Sequence, residues 1–90
     1  MPESLEIRRK RLKFHSAHRG IKELDLLLGG FASAHLDSLD AGQLDRFEAL
    51  LEVPEPLLYA WLCGREAPAP DHDHDVMAML RDFRFAPRAS

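Results

Sequence analysis

Residues 23–31 read ELDLLLGGF, and the placement of their apolar side chains decides the fold. Leu24, Leu27, Leu28 and Phe31 fall at i, i+3, i+4 and i+7, which puts all four on one face of an α-helix. The segment is therefore a core helix, and the boundaries around it place it at residues 19–35. On its N-terminal side, Ser4 is a cap for a first helix over 5–17, LEIRRKRLKFHSA, whose Leu5, Leu12 and Phe14 give only a weak apolar stripe. Most of that helix is expected to face solvent. On the C-terminal side, Asp40 followed by Gln43 reads as a capping box for a helix over about 40–52, with Leu44, Phe47, Leu50 and Leu51 as its buried face. Pro54 and Pro56 are tolerated only in a first turn, so a fourth helix runs over 54–63 through Leu57, Leu58, Trp61 and Leu62, ending near Gly64. The prolines of APAP at 67–70 stop it. Asp71 then opens a last helix over about 72–84, with Val76, Met79, Leu80 and Phe83 as its stripe and a frayed tail at 86–90. The reading is all-α: a small compact five-helix bundle forming a single domain over 1–90.

Composition agrees and narrows the function classes. The 90 residues are 46% hydrophobic and 30% charged, with leucine dominating and few β-branched residues, which favours helices. A chain of this length builds one core, too small for a separate cofactor-binding fold, so a self-contained enzyme is not expected. The lone Cys63 cannot form an internal disulfide and offers too few thiolates for a structural zinc site. No apolar run approaches the roughly 18 residues of a membrane span, so no membrane insertion is expected. The start of the chain has neither a signal-peptide pattern nor a transit segment, so the expected location is the bacterial cytoplasm.

The net charge of -3 conceals an asymmetry. Residues 1–22 carry seven basic side chains against Glu3 and Glu6, whereas the remainder carries five basic against thirteen acidic. An acidic protein surface, a nucleic acid or an anionic membrane could each meet that basic end. RRKRLK at 8–13 makes a helical nucleic-acid binder the rival reading, with Arg8, Arg9 and Arg11 as its phosphate contacts; the acidity of the rest opposes it.

Other candidate sites are set aside. His72 and His74 in DHDHD (71–75), two apart on a helix, point to different faces, so no metal site is expected. His15 and His18 lack a third ligand nearby. Cys63 has no identifiable base partner and reads as a small core residue. The glycines of LGG at 28–30 follow no strand, so they mark a kink or a close helix contact in preference to a phosphate loop.

What remains unexplained is Arg19, Gly20 and Glu23. Gly20 permits a positive φ or close approach of another backbone. Arg19 and Glu23, four apart, could pair across one turn, but arginine before glutamate is the weaker orientation and such pairs contribute only about 0.2–0.5 kcal/mol. A cation near a helix N-terminus also opposes the macrodipole. An ordinary surface pair beside a turn glycine is one reading; a flat polar surface that another protein approaches closely is the other.

RLKFHSAHRGIKELDLLLGGFA, followed by LLE and YAWLCG, resembles the succinate dehydrogenase assembly factors of the SdhE type, whose signature is Arg-Gly-x-x-Glu. The resemblance covers residues 8 to about 68. It implies a five-helix fold and a non-enzymatic, chaperone-like role: binding the flavoprotein subunit of succinate dehydrogenase, and that of the related fumarate reductase, and promoting covalent attachment of FAD to a histidine of that subunit. By position Arg19, Gly20 and Glu23 are the motif residues expected to face the client. His18, where many members have a second arginine, joins the expected contact set with Arg11 and Asp25. FAD is expected to belong to the client, with no cofactor or metal held by this chain, which is expected to be a monomer when free. Besides the nucleic-acid reading, a regulatory or antitoxin-type partner protein is the remaining alternative.

Overall fold

The computed structural model describes residues 3–85, with side chains through Phe83; the tail expected at 86–90 lies outside the described residues. Five α-helices follow one another: α1 (Leu5–Ala17), α2 (Lys22–His35), α3 (Ala41–Leu51), α4 (Glu55–Leu62) and α5 (Asp75–Phe85). Short 3-10 turns at Leu36–Ser38 and Pro70–His72 follow α2 and precede α5. Local chemistry accounts for most boundaries. Ser4 Oγ accepts the Ile7 amide (3.2 Å) at the start of α1. At α3, Asp40 Oδ1 accepts the Gln43 amide (2.8 Å) while Gln43 Oε1 accepts the Asp40 amide (3.1 Å), the reciprocal capping box the sequence predicts. Pro56 stands in the first turn of α4, where no amide is needed.

The apolar face of α2 is the centre of the core. Leu24, Leu28 and Phe31 are fully buried, together with Leu44, Phe47 and Leu50 of α3, Leu58 and Leu62 of α4, and Val76 and Leu80 of α5. Phe31 stacks on Phe47 with ring centroids 5.6 Å apart and meets the edge of Phe83 at 5.9 Å, so one aromatic side chain ties α2 to α3 and α5. The weak stripe expected for α1 is corrected: Leu12 is buried with Ser16 beside it, whereas Leu5 and Phe14 are exposed. The helix packs through small residues instead. A Cβ built on Gly29 of α2 would lie 3.1 Å from Ala17 Cβ and 3.3 Å from its Cα, so Gly29 allows the two helices to approach closely.

Two boundaries differ from expectation. The core helix begins at Lys22, not residue 19, because Gly20 adopts φ +108°, outside the helical region. The last helix begins at Asp75, not near Asp71, because Pro70–His72 forms its own turn and the side chain of His74 does the capping. His74 Nδ1 accepts the Met77 amide (3.1 Å), which requires the neutral ring. The rings of His72 and His74 consequently converge to 6.2 Å edge to face, where helical spacing had predicted divergence. Among the described residues no group of three His, Cys, Asp or Glu side chains is placed to hold a metal.

Adjacent glycines of α2 should respond oppositely to alanine-sized and larger groups. Gly30 faces the Phe83 ring at an ordinary 3.5 Å, so Gly30→Ala should stabilise by up to about 1 kcal/mol through helix propensity. Gly29→Val, driven against the Ala17 backbone, should cost about 1–3 kcal/mol; urea unfolding of both variants measures the contrast. His74 gives a pH signature. Burial lowers its pKa from the ordinary 6.5, so the neutral capping form is favoured by folding. Its contribution is fully present above pH 6.5 and is lost as pH falls through that value towards the lower folded pKa. His74→Asn, which keeps a capping acceptor without a titrating ring, should flatten the dependence of stability on pH between 7 and 5.

Candidate partner-binding site

The Arg-Gly-x-x-Glu segment forms the corner between α1 and α2. Helix α1 ends at Ala17, and His18 caps it with its ring stacked on Phe14 (4.1 Å) and Nδ1 2.8 Å from the Phe14 carbonyl oxygen. At Gly20 a Cβ would meet nothing within 4 Å, so glycine is required by the positive φ and not by a close neighbour within the chain. Asp25 closes the corner from inside α2. Its Oδ1 accepts the Arg19 amide at 2.7 Å and its Oδ2 accepts the Gly20 amide at 3.4 Å. These are backbone donors exposed by a sharp reversal, and a carboxylate in the first turn of a helix also complements the dipole. Asp25, expected among the contact residues, thus has an architectural task within its own chain.

The Arg19–Glu23 pair that the spacing allows does not form. Residues 19–21 are not helical, so the spacing of four is not one turn. Each side chain turns to α4 instead. Arg19 Nε lies 3.6 Å from Glu55 Oε1, with the Arg19 side chain only 7% exposed, and that Nε is buried without a hydrogen-bond acceptor. Glu23 accepts a short hydrogen bond from the Tyr59 hydroxyl. The hydrogen bond to Glu23, and after it the neighbouring Cys63, push the Tyr59 pKa up to about 12, so the hydroxyl remains a donor across the physiological range. Glu55 and Tyr59 are four apart on α4, so the two motif residues lie along one face of that helix.

The basic helix is largely neutralised within the chain. Arg8 reaches Asp45 (2.7 Å) and Glu48 (2.9 Å); Arg11 reaches Glu3 (2.8 Å) and Glu48 (3.0 Å); Lys13 reaches Asp37 (3.0 Å). Arg9 donates to the Leu36 and Leu39 carbonyls at 3.1 and 2.8 Å and so holds the turn after α2. Hydrogen bonding by Arg11 and then Arg8 lowers the Glu48 carboxyl pKa. Arg11, expected at the contact face, is therefore engaged on the side of α1 that meets α3. The three arginines of the nucleic-acid reading would have to leave these partners to meet phosphate.

Exposed groups near the corner were missed in the sequence. Phe14, placed in the buried stripe, is 66% exposed, and Leu26 is 62% exposed on α2. Ile21, within the motif itself, is also exposed. Glu55 and Tyr59 carried no signal, because their link to residues 19 and 23 exists only across packed helices.

This geometry defines an all-α module that presents a polar corner, held by hydrogen bonds to Asp25 and contacts to α4, flanked by exposed apolar side chains. Comparison with known proteins then identifies it: residues 10–84 match the family described as flavinator of succinate dehydrogenase, and the chain belongs to that family. It is 46% identical over 85 residues to the FAD assembly factor SdhE of Acetobacter pasteurianus, covering 92% of this chain and 77% of that protein. It is 41% identical to the mitochondrial succinate dehydrogenase assembly factor 2 of Meyerozyma guilliermondii and 33% identical to that of Aedes aegypti, spanning 62% and 51% of their lengths. No helix among the described residues is long and apolar enough to cross a membrane.

The corner makes its own prediction. Gly20→Ala should cost about 1–3 kcal/mol from backbone strain alone, since its methyl meets open space. Asp25→Ala should accelerate hydrogen exchange at the Arg19 and Gly20 amides, which lose their acceptor, while leaving the amides of α3 unchanged.

Proposed function

We propose that this protein is an assembly factor for succinate dehydrogenase that binds the flavoprotein subunit and promotes covalent attachment of FAD to a histidine of that subunit. Family membership and the names carried by its relatives support this reading. The structural observation that carries it is the ordered Arg-Gly-x-x-Glu corner. A glycine with positive φ bears no side chain there, and the motif arginine and glutamate are held beside it by a second helix.

FAD belongs to the client in this reading. No strand among the described residues supplies the strand-to-helix turn that dinucleotide phosphates use, and Gly29 is covered by Ala17. A cavity of about 280 Å³ lined by His35, Met79, Asp82 and Phe83 is mostly apolar and distant in sequence from the motif. The oxidised flavin bound to the client would supply the electrophile, the 8α methyl carbon attached to its ring, and would itself take up the two electrons, so no nucleophile is asked of this chain. Its own residues act by binding: Arg19 and Glu23 engage the client's mobile region, Gly20 permits backbone approach, and differential affinity shifts the client towards the geometry in which its histidine can react. The same surface serves the fumarate reductase flavoprotein subunit where that client is present.

In-gel flavin fluorescence of the denatured flavoprotein subunit tests the function. Fluorescence should depend on co-expression of this protein and fall at least about tenfold with Gly20→Arg or Glu23→Ala, as expected when a charged interface contact is removed. Equal fluorescence with and without the protein would refute the assembly role.

A further inference from the structure

We propose that Glu55 and Tyr59 of α4 are positioning residues that preset Arg19 and Glu23 for the partner, so that the working surface is built from two helices and not from the Arg-Gly-x-x-Glu segment alone. This rests on the partner-binding reading above. Arginine and glutamate side chains are among the most costly to immobilise, and ordering them before docking removes that cost from the binding step. The two tethers differ in kind. Tyr59 gives Glu23 a true hydrogen bond through one carboxylate oxygen, Oε2, so the other can accept from a partner. Glu55 approaches Arg19 only to 3.6 Å, beyond hydrogen-bond range, and leaves the buried Nε without an acceptor. Arg19 is thus aligned yet unsaturated. Moving it a short way onto a partner carbonyl or carboxylate breaks no hydrogen bond within the chain and supplies the acceptor that burial makes valuable. Spacing reinforces the assignment: Glu55 and Tyr59, one helical turn apart, meet Arg19 in the non-helical corner and Glu23 in the first turn of α2.

Two measurements test this. In the isolated protein, NMR order parameters of the Arg19 Nε–H group and the Glu23 side chain should fall in Glu55→Gln and Tyr59→Phe respectively, with thermal unfolding little changed because both substitutions keep side-chain size. Unchanged order in either variant overturns the proposal, whether or not a client binds. For affinity, binding to the purified succinate dehydrogenase flavoprotein subunit should weaken about five- to tenfold in Tyr59→Phe, the scale of one side chain's lost preorganisation. A double-mutant cycle then separates positioning from direct contact. If Tyr59 acts through Glu23, Tyr59→Phe adds no further loss on a Glu23→Gln background. An equal loss on both backgrounds, or no loss in the single variant, overturns the assignment. Failure of the unaltered protein to bind the subunit would defeat the proposed function instead, and the NMR measurement would still decide the positioning claim.

Discussion

The two amide hydrogen bonds that Asp25 accepts from Arg19 and Gly20 hold the corner on which the other contacts depend. Between the cap at His18 and the start of α2 at Lys22 the chain reverses in three residues, possible because Gly20 takes φ +108°. The reversal lays α1 against α2 so closely that a Cβ at position 29 would lie 3.1 Å from Ala17 Cβ, a tighter contact than most side chains make. That contact in turn sets the face of α1 that meets α3. A corner with another angle would separate Arg8 and Arg11 from Asp45 and Glu48, and Arg9 from the carbonyls of Leu36 and Leu39.

The polarity of the chain has an internal purpose. A basic first helix followed by an acidic remainder suggests a surface seeking an external partner of opposite charge, yet the acidic partner is largely the same molecule. Exposed ion pairs of this kind contribute little individually, but Glu48 is shared by two arginines, and such a network orients a helix that buries few side chains of its own. The charge that remains distinctive lies at the corner, where a guanidinium is drawn out of water without a complete set of acceptors. Buried polar groups are ordinarily satisfied; among the described residues Arg19 Nε, His72 Nδ1 and His74 Nε2 are not, and the first of these belongs to the motif arginine.

A corner held by contacts to a second helix suits the proposed role of selecting a client conformation. The differential affinity needed to shift another protein's equilibrium is larger when the selecting surface does not itself reorganise on binding. Helix α4 meets Arg19 and Glu23 through Glu55 and Tyr59, while Phe14 and Ile21 leave exposed apolar area at the corner, the mixture typical of a protein contact.

The sequence by itself determined the five helices, the capping box at Asp40, the proline start of α4, and the apolar face of Leu24, Leu27, Leu28 and Phe31. These are matters of spacing and local hydrogen bonding within one turn, which neighbouring residues decide. It did not reveal that Arg19 and Glu23 turn away from each other, that Phe14 is exposed while Ser16 is buried, or that His74 caps α5. Those outcomes depend on which helix lies alongside which. Glu55 is 36 residues from Arg19 in the chain, as Tyr59 is from Glu23, and no periodicity links them. Only the packing of α4 against the α1–α2 corner brings them together, because side-chain partners across helices are set by the geometry of the assembled core and not by the order of the chain.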